Sequence, residues 1–241
     1  MRALAGAIQF LTVVRLPATE RPATPGQAAA WFPLVGAALG AAGAGVFIAC
    51  AKVLPISLAA LAAVAFWAGV SGVLHEDGLA DVADALRAGR TQETMLAILK
   101  DSRIGTYGAV AVVLSILIRW QALEHTNALN ILCLCIAAQA VPRAGIVGLA
   151  WTSRPVGYGL GYALSSTLTT PAALAALAQG AAAALLSGVW MGIEIVLGCY
   201  VIARAAQWYF YRRLGGVNGD CLGATEQLLE IFILVLFTGK L

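Results

Sequence analysis

Apolar residues run through this chain in long stretches, and the charged positions fall between them. A helix that crosses the hydrocarbon layer of a membrane needs about 20 mostly apolar residues. Ala28–Leu54, Ile56–Leu74, Ile104–Leu123, Ala128–Trp151, Pro171–Tyr211 and Leu222–Phe237 meet or approach that length. The fifth is too long for one crossing and reads as two helices broken near Ser187–Gly192. The last is short, and suits a tilted, interfacial or bundle-packed helix. An open sheet edge cannot satisfy its backbone in lipid, so every span should be helical. Gly36, Gly40 and Gly43 repeat small residues along the first span, which lets helices approach closely. The pattern predicts an all-α, polytopic membrane bundle of about six to seven spans. The whole of 1–241 should be a single membrane-embedded unit. Met1–Leu16 is apolar between Arg2 and Arg15 and lacks a small-residue cleavage site, so it reads as a retained amphipathic or interfacial helix.

Composition agrees. The chain is 61% hydrophobic and 11% charged, against about 25% charged in a soluble domain. So few charges cannot cover a water-facing surface, and a lipid bilayer is the implied surrounding. The net charge is +3 without a Lys/Arg-rich run, which speaks against nucleic-acid binding. Cys133 and Cys135 have neither zinc-knuckle nor redox spacing, and with Cys50, Cys199 and Cys221 they read as small apolar residues.

Charge placement orients the bundle. With one crossing per span, Arg2, Arg15, Arg21, Arg87, Arg90, Lys100, Arg103, Arg154, Arg204, Arg212 and Arg213 share one side. Lys52, Arg119 and Lys240 fall on the other. The positive-inside rule makes the first side cytoplasmic, and Asp77, Asp81, Asp84, Asp101 and Asp220 fall there too. Glu194 interrupts an apolar run. It marks either a turn between two spans, the cheaper reading, or a buried functional acid.

The candidate chemistry lies in the cytoplasmic-face acidic segment 75–103. Asp77, Asp81 and Asp84 stand at i, i+4 and i+7, one face of a helix. Three carboxylates so placed repel one another. Either solvent and Arg87 and Arg90 offset the repulsion, or a divalent cation does, and hard oxygen ligands select Mg²⁺, Ca²⁺ or Mn²⁺. His75 could act as an acid or base, or simply be hydrogen-bonded. Lys100, Asp101, Ser102, Arg103, Thr106 and Tyr107 follow, with Gly105 and Gly108 allowing close backbone approach. The cations suit phosphate oxygens, unless they form a snorkelling collar where the chain enters the membrane. Carboxylates for metal beside cations for phosphate suit phosphoryl or nucleotidyl transfer. Near the C-terminus a Gly-rich loop, Gly215–Gly219, leads to Asp220 and Glu226. Asp220 could cap the last helix, or both acids could reach the same metal or a substrate hydroxyl.

Three ordered motifs make the chain resemble the cobalamin synthase (adenosylcobinamide-GDP ribazoletransferase) family. They are His75-x-Asp77-Gly78-Leu79-Ala80-Asp81-x-x-Asp84, Lys100-Asp101-Ser102-Arg103-x-Gly105-Thr106-Tyr107-Gly108, and Gly215-Gly216-x-x-Gly219-Asp220-x-x-Gly223-Ala224-x-x-Glu226. Phe10-Leu11-Thr12, Arg15-Leu16-Pro17 and Phe32-Pro33-Leu34-x-Gly36 are similar as well. Ala85 departs from the glycine expected after the third aspartate, Val13-Val14 adds to the usual spacing, and residues 110–200 are less distinctive.

The resemblance implies a Mg²⁺-dependent inner-membrane transferase with its active face toward the cytoplasm. It would join α-ribazole or α-ribazole 5′-phosphate to adenosylcobinamide-GDP, releasing GMP and giving adenosylcobalamin or its 5′-phosphate. Carried onto this sequence, Asp77, Asp81 and Asp84 would be the metal ligands, and Asp84, Lys100, Asp101 and Arg103 the catalytic groups. His75, Thr106, Arg143, Asp220 and Glu226 would bind substrate. A 5′-oxygen nucleophile is expected, with Asp84 or Asp101 as base when it is a hydroxyl. A homo-oligomer stays open. The alternatives are a CDP-alcohol phosphotransferase, whose Ala-Arg and Gly-x-x-x-Asp-x-x-x-Asp continuation is absent, and a corrinoid or cation transporter.

Overall fold

A computed structural model describes residues 1–17, 22–88, 91–101, 103–126 and 130–238. Arg21, Arg90, Ser102, Ala128 and Lys240 of the sequence reading lie outside them. The described residues form twelve helices. Two short ones, α1 (Arg2–Leu11) and α2 (Pro25–Ala29), precede α3 (Phe32–Ala51) and α4 (Ile56–Ser71). Next come α5 (Leu74–Ala88), α6 (Gln92–Ile98), α7 (Thr106–Glu124) and α8 (Ile131–Thr152). Last are α9 (Leu160–Thr167), α10 (Thr170–Leu185), α11 (Val189–Leu214) and α12 (Gly219–Thr238). Five of these (α3, α7, α8, α11 and α12) are long and apolar enough to cross a membrane, and up to seven crossings result if each bent pair, α4–α5 and α9–α10, is one span.

Local chemistry sets the boundaries. Thr24 and Thr91 accept from the backbone of Gln27 and Thr94 in reciprocal capping boxes. Gly215 ends α11 at φ 75°, a left-handed conformation that suits glycine. Gly72 does the same for α4 at φ 63°, and Val73 follows at φ 54°. Two successive left-handed residues turn the chain by 87° between α4 and α5. The expected span Ile56–Leu74 ends at Ser71 as α4, and the acids lie on α5 beyond the bend.

The core is built around α8 and α12, whose spans are 72% and 67% buried, whereas α11 is 17% buried and faces outward. Glycines bring α3 against α8: a Cβ at Gly40 would stand 2.7 Å from the carbonyl carbon of Cys135. One apolar cluster joins α3, α4, α7, α8, α11 and α12 around Phe47, Trp67, Leu123 and Ile233. A second, around Phe32, Val82, Ile146 and Leu214, packs under the loops at the other end.

Three expectations change. The break in Pro171–Tyr211 falls at residues 186–188, so Glu194 sits inside α11, exposed, and marks no turn. The short last segment belongs to a 20-residue helix. Arg119 is no loop-side cation but is 1% exposed inside the bundle, because two buried glutamates hold it there.

Candidate active site

Helix α5 runs antiparallel to both α7 and α12. Its end meets the start of α7, where Asp84 accepts hydrogen bonds from Gly105 N–H (2.7 Å) and Gly108 N–H (2.9 Å). Its beginning meets the far part of α7, where Arg119 donates to Glu76 at 2.9 Å. Against α12, Gly78 abuts the backbone of Asp220 and Gly223, and His75 Nδ1 lies 3.2 Å from Glu226 Oε2. The N-terminal half of α5, read from sequence as lying between spans, is thus inside the bundle.

A pocket of about 330 Å³ opens where α5 meets the loops before α9 and α12. His75, Asp77, Asn218 and Asp220 supply its polar wall, and Phe10, Ile146, Leu164 and Leu222 its apolar one. Tyr158 and Leu99 also line it, and Lys100 Nζ sits 5.6 Å from the centre of the Tyr158 ring. The loops are pinned together: Val217 N–H donates to Arg154 O at 3.0 Å, and Val156 N–H to Val217 O at 3.0 Å. Gly161 and Gly219 touch backbone to backbone, and Gln92 Nε2 closes the end of α11 through Leu214 O at 2.8 Å. A groove of about 450 Å³ between α8, α10 and α11 is larger, but it is mainly apolar and holds no carboxylate.

Apart from Asp84, the expected site residues separate into three groups. His75, Asp77 and Asp220 share the pocket, Asp81 lies within electrostatic reach of Asp77, Asp220 and Asp84, and Lys100 reaches the rim. Glu226 and Arg143 are buried behind His75 as an ion pair without a well-aligned hydrogen bond. Glu226 also accepts from Gln227 Nε2 at 3.1 Å, and neither it nor Arg143 lines the pocket. Asp101 and Arg103 pair with each other in the loop before α7, with Arg103 donating at 2.5–3.1 Å, and Thr106 is exposed at the start of α7. Those hydrogen bonds hold the Asp101 carboxyl below the usual carboxylate range.

Several local readings are corrected. Asn218, not Asp220, caps α12: its Oδ1 accepts from Cys221 N–H at 3.0 Å, while its Nδ2 donates to Asp220 at 2.8 Å. Arg87 makes no ion pair with the three aspartates among the described residues; it stacks 5.7 Å from the centre of the Tyr107 ring. Both oxygens of Asp84 are engaged by backbone N–H groups, an anion at a helix N-terminus. Asp101 and Asp84 are therefore poorly placed to take a proton from a group in the pocket.

Sequence reasoning missed Glu76 and Glu230. Each is buried, and both meet Arg119, whose Nη1 is 3.4 Å from Glu230 Oε1. Glu230 lies within an apolar helix, where an acid signals a partner, and that signal was available.

Among the described residues, no three His, Cys, Asp or Glu side chains converge into a metal cage. Mg²⁺ rarely uses one; it is held by one or two carboxylates together with substrate phosphates. Asp77 and Asp220 line one pocket as interacting carboxylates, with Asp81 beside them, and this oxygen donor set fits that mode.

The family profile described as cobalamin-5-phosphate synthase matches residues 3–238. The chain belongs to the cobalamin-5-phosphate synthase family. Among curated relatives it is 36% identical to an adenosylcobinamide-GDP ribazoletransferase of Ralstonia nicotianae, covering 97% of this chain and 93% of that one. A protein of the same name from Bradyrhizobium diazoefficiens is 39% identical over 95% and 90%. That of Geotalea daltonii is 34% identical over 95% and 94%. No solved structure matches. Within this family member, the three motifs that carry the resemblance fall at the α5–α7–α12 contact and the loops above it.

Proposed function

We propose that the chain is an adenosylcobinamide-GDP ribazoletransferase, forming adenosylcobalamin or its 5′-phosphate and releasing GMP. The observation that carries this reading is the convergence of His75, Asp77 and Asp220 on one pocket with Lys100 at its rim. The names of the full-length relatives supply the substrates. A pocket of about 330 Å³ cannot enclose a corrinoid. In this reading the macrocycle stays outside and the diphosphate linkage meets the polar wall.

In the reaction, a ribose oxygen bonds to the phosphorus carried by the cobinamide, and the bond from that phosphorus to the bridging oxygen breaks. GMP leaves with the electron pair. Atom balance removes the expected 5′-oxygen as nucleophile: a product that keeps its 5′-phosphate was joined through another ribose hydroxyl. A proton must then be taken up for both forms of the substrate. His75 is the group placed for it. Its ring lines the pocket, and its Nδ1 lies 3.2 Å from Glu226 Oε2. Lys100, released from Tyr158, balances charge on the diphosphate. Arg103 joins only by exchanging Asp101 for phosphate.

Asp77 and Asp220, with Asp81 beside them, would hold Mg²⁺. When bound, it supplies charge neutralisation at the transferring phosphorus and the departing phosphate. The positive-inside rule supports a cytoplasmic-face site, and the family reading an inner membrane.

The test is GMP release by the purified protein from adenosylcobinamide-GDP, with α-ribazole present or absent and with Mg²⁺ or a chelator. Release coupled to nucleoside and lost with chelator supports the reading. Transfer from CDP-alcohols instead, or flux of unconverted corrinoid into sealed vesicles, would replace it.

A further inference from the structure

We propose that Arg119 is a positioning residue: clamped between Glu76 on α5 and Glu230 on α12, it fixes the rotation of α5 that turns Asp77 toward Asp220. The inference rests on the transferase reading for its kinetic consequence and on geometry for the rest.

The clamp is an odd use of charge. Arg119, Glu76 and Glu230 are 1%, 5% and 1% exposed. Taking three ions out of water is costly, and apolar residues of similar volume often serve stability as well or better. The desolvation is also incompletely offset, because Glu76 Oε2 and Arg119 Nε have no hydrogen-bond partner among the described residues. Stability alone gives no reason for the arrangement.

Direction does. The apolar part of the buried face of α5 beside the site is small, with Gly78, Ala80 and Ala85, and such contacts hold a helix close without fixing its rotation. The hydrogen bonds of Asp84 to Gly105 and Gly108 orient the far end of α5, and the clamp orients the end that carries His75 and Asp77. One residue along a helix is about 100° of rotation. A turn of that size would exchange the places of Glu76 and Asp77, burying the pocket acid and exposing its neighbour. The planar guanidinium of Arg119 resists it, because two of its nitrogens reach carboxylates on two different helices. Glu230 lies ten residues after Asp220 on α12, so the same contact ties α12 to α5. Beside it, His75–Glu226–Arg143 makes a second polar crossing from α5 to α12 and α8.

The decisive variant removes every charge of the clamp at once: Glu76→Gln, Arg119→Met and Glu230→Gln together. Spin labels at Ala88→Cys on α5 and Leu228→Cys on α12, both exposed, would report the helix pair in full-length protein whose native cysteines are replaced. The triple variant should insert and melt no lower than the labelled parent. Its label-to-label distance distribution should broaden or shift, and kcat for GMP release should fall at least tenfold with little change in KM. Arg119→Lys keeps the charge without the fork and should fall between. Unchanged distances in the triple variant overturn the proposal whatever the activity. Parental kcat, or a variant that fails to insert or melts early, overturns it as well. If the parent itself releases no GMP, the transferase reading fails, while the distances still judge the clamp.

Discussion

Two arginine–carboxylate contacts in this molecule have similar chemistry and opposite circumstances. Arg103 and Asp101 meet two residues apart in a loop, with relative exposures of 86% and 37%. Arg119 meets Glu76 and Glu230 across three helices, with every partner almost wholly buried. The loop pair has three or more hydrogen bonds and the shorter distances, yet water screens it and either partner can leave without structural cost. The buried pairs have longer contacts and orphaned atoms, yet removing one partner strands a charge in the bundle. Contact geometry alone would rank them the wrong way round. Burial ranks them, and it separates the groups that shape the site from those available to bind something new.

Substitutions can break that contrast. Arg119→Met alone leaves two buried carboxylates uncompensated and should cost about 3–5 kcal/mol, read as a large fall in melting temperature or failure to insert. Gly108→Ala places a Cβ against the Asp84 carboxylate and 2.8 Å from Ala80 O. Overpacking of this kind should cost about 1–3 kcal/mol, again read by thermal unfolding, and would show that Asp84 holds the start of α7. Lys100→Gln should leave the melting temperature unchanged and raise KM for the GDP substrate by roughly tenfold, the loss of one charge-assisted phosphate contact. Arg103→Gln should do least: no measurable change in stability and a small change in KM. It should return the Asp101 carboxyl upward to its ordinary range, visible in a carboxyl NMR titration. The sign follows from the depressed value. A lowered folded pKa gives stability above the unfolded pKa that is lost as pH falls through the folded one. At an exposed loop that contribution is too small to appear in melting curves between neutral pH and the carboxylate range.

Much of the architecture was legible because lipid demands long apolar helices. Ala128–Trp151 became α8, and the break inside Pro171–Tyr211 fell where small and polar residues interrupt it. The acidic segment was legible because three aspartates at helical spacing stand out in a chain with few charges. The partners were not. Arg119 reaches Glu76 and Glu230 over 43 and 111 residues of sequence, and a topology count necessarily read it as a surface cation. Helical spacing put Asp77, Asp81 and Asp84 on one face but could not show that the N-terminus of α7 would engage Asp84. Nor could it show that Asp220 would arrive from the far end of the chain to pair with Asp77 instead. Asn218 was hidden beside an aspartate of equal capping ability.

The central claim is that the pocket shared by α5 and α12 performs the transfer. GMP release from adenosylcobinamide-GDP with α-ribazole and Mg²⁺, by wild type and by Asp77→Asn protein of matched insertion and melting temperature, tests it most directly. Loss of one pocket carboxylate should lower kcat by about 10²-fold or more, the scale of removing one electrostatic contact to a transition state. A wild-type rate in the Asp77→Asn protein would contradict it.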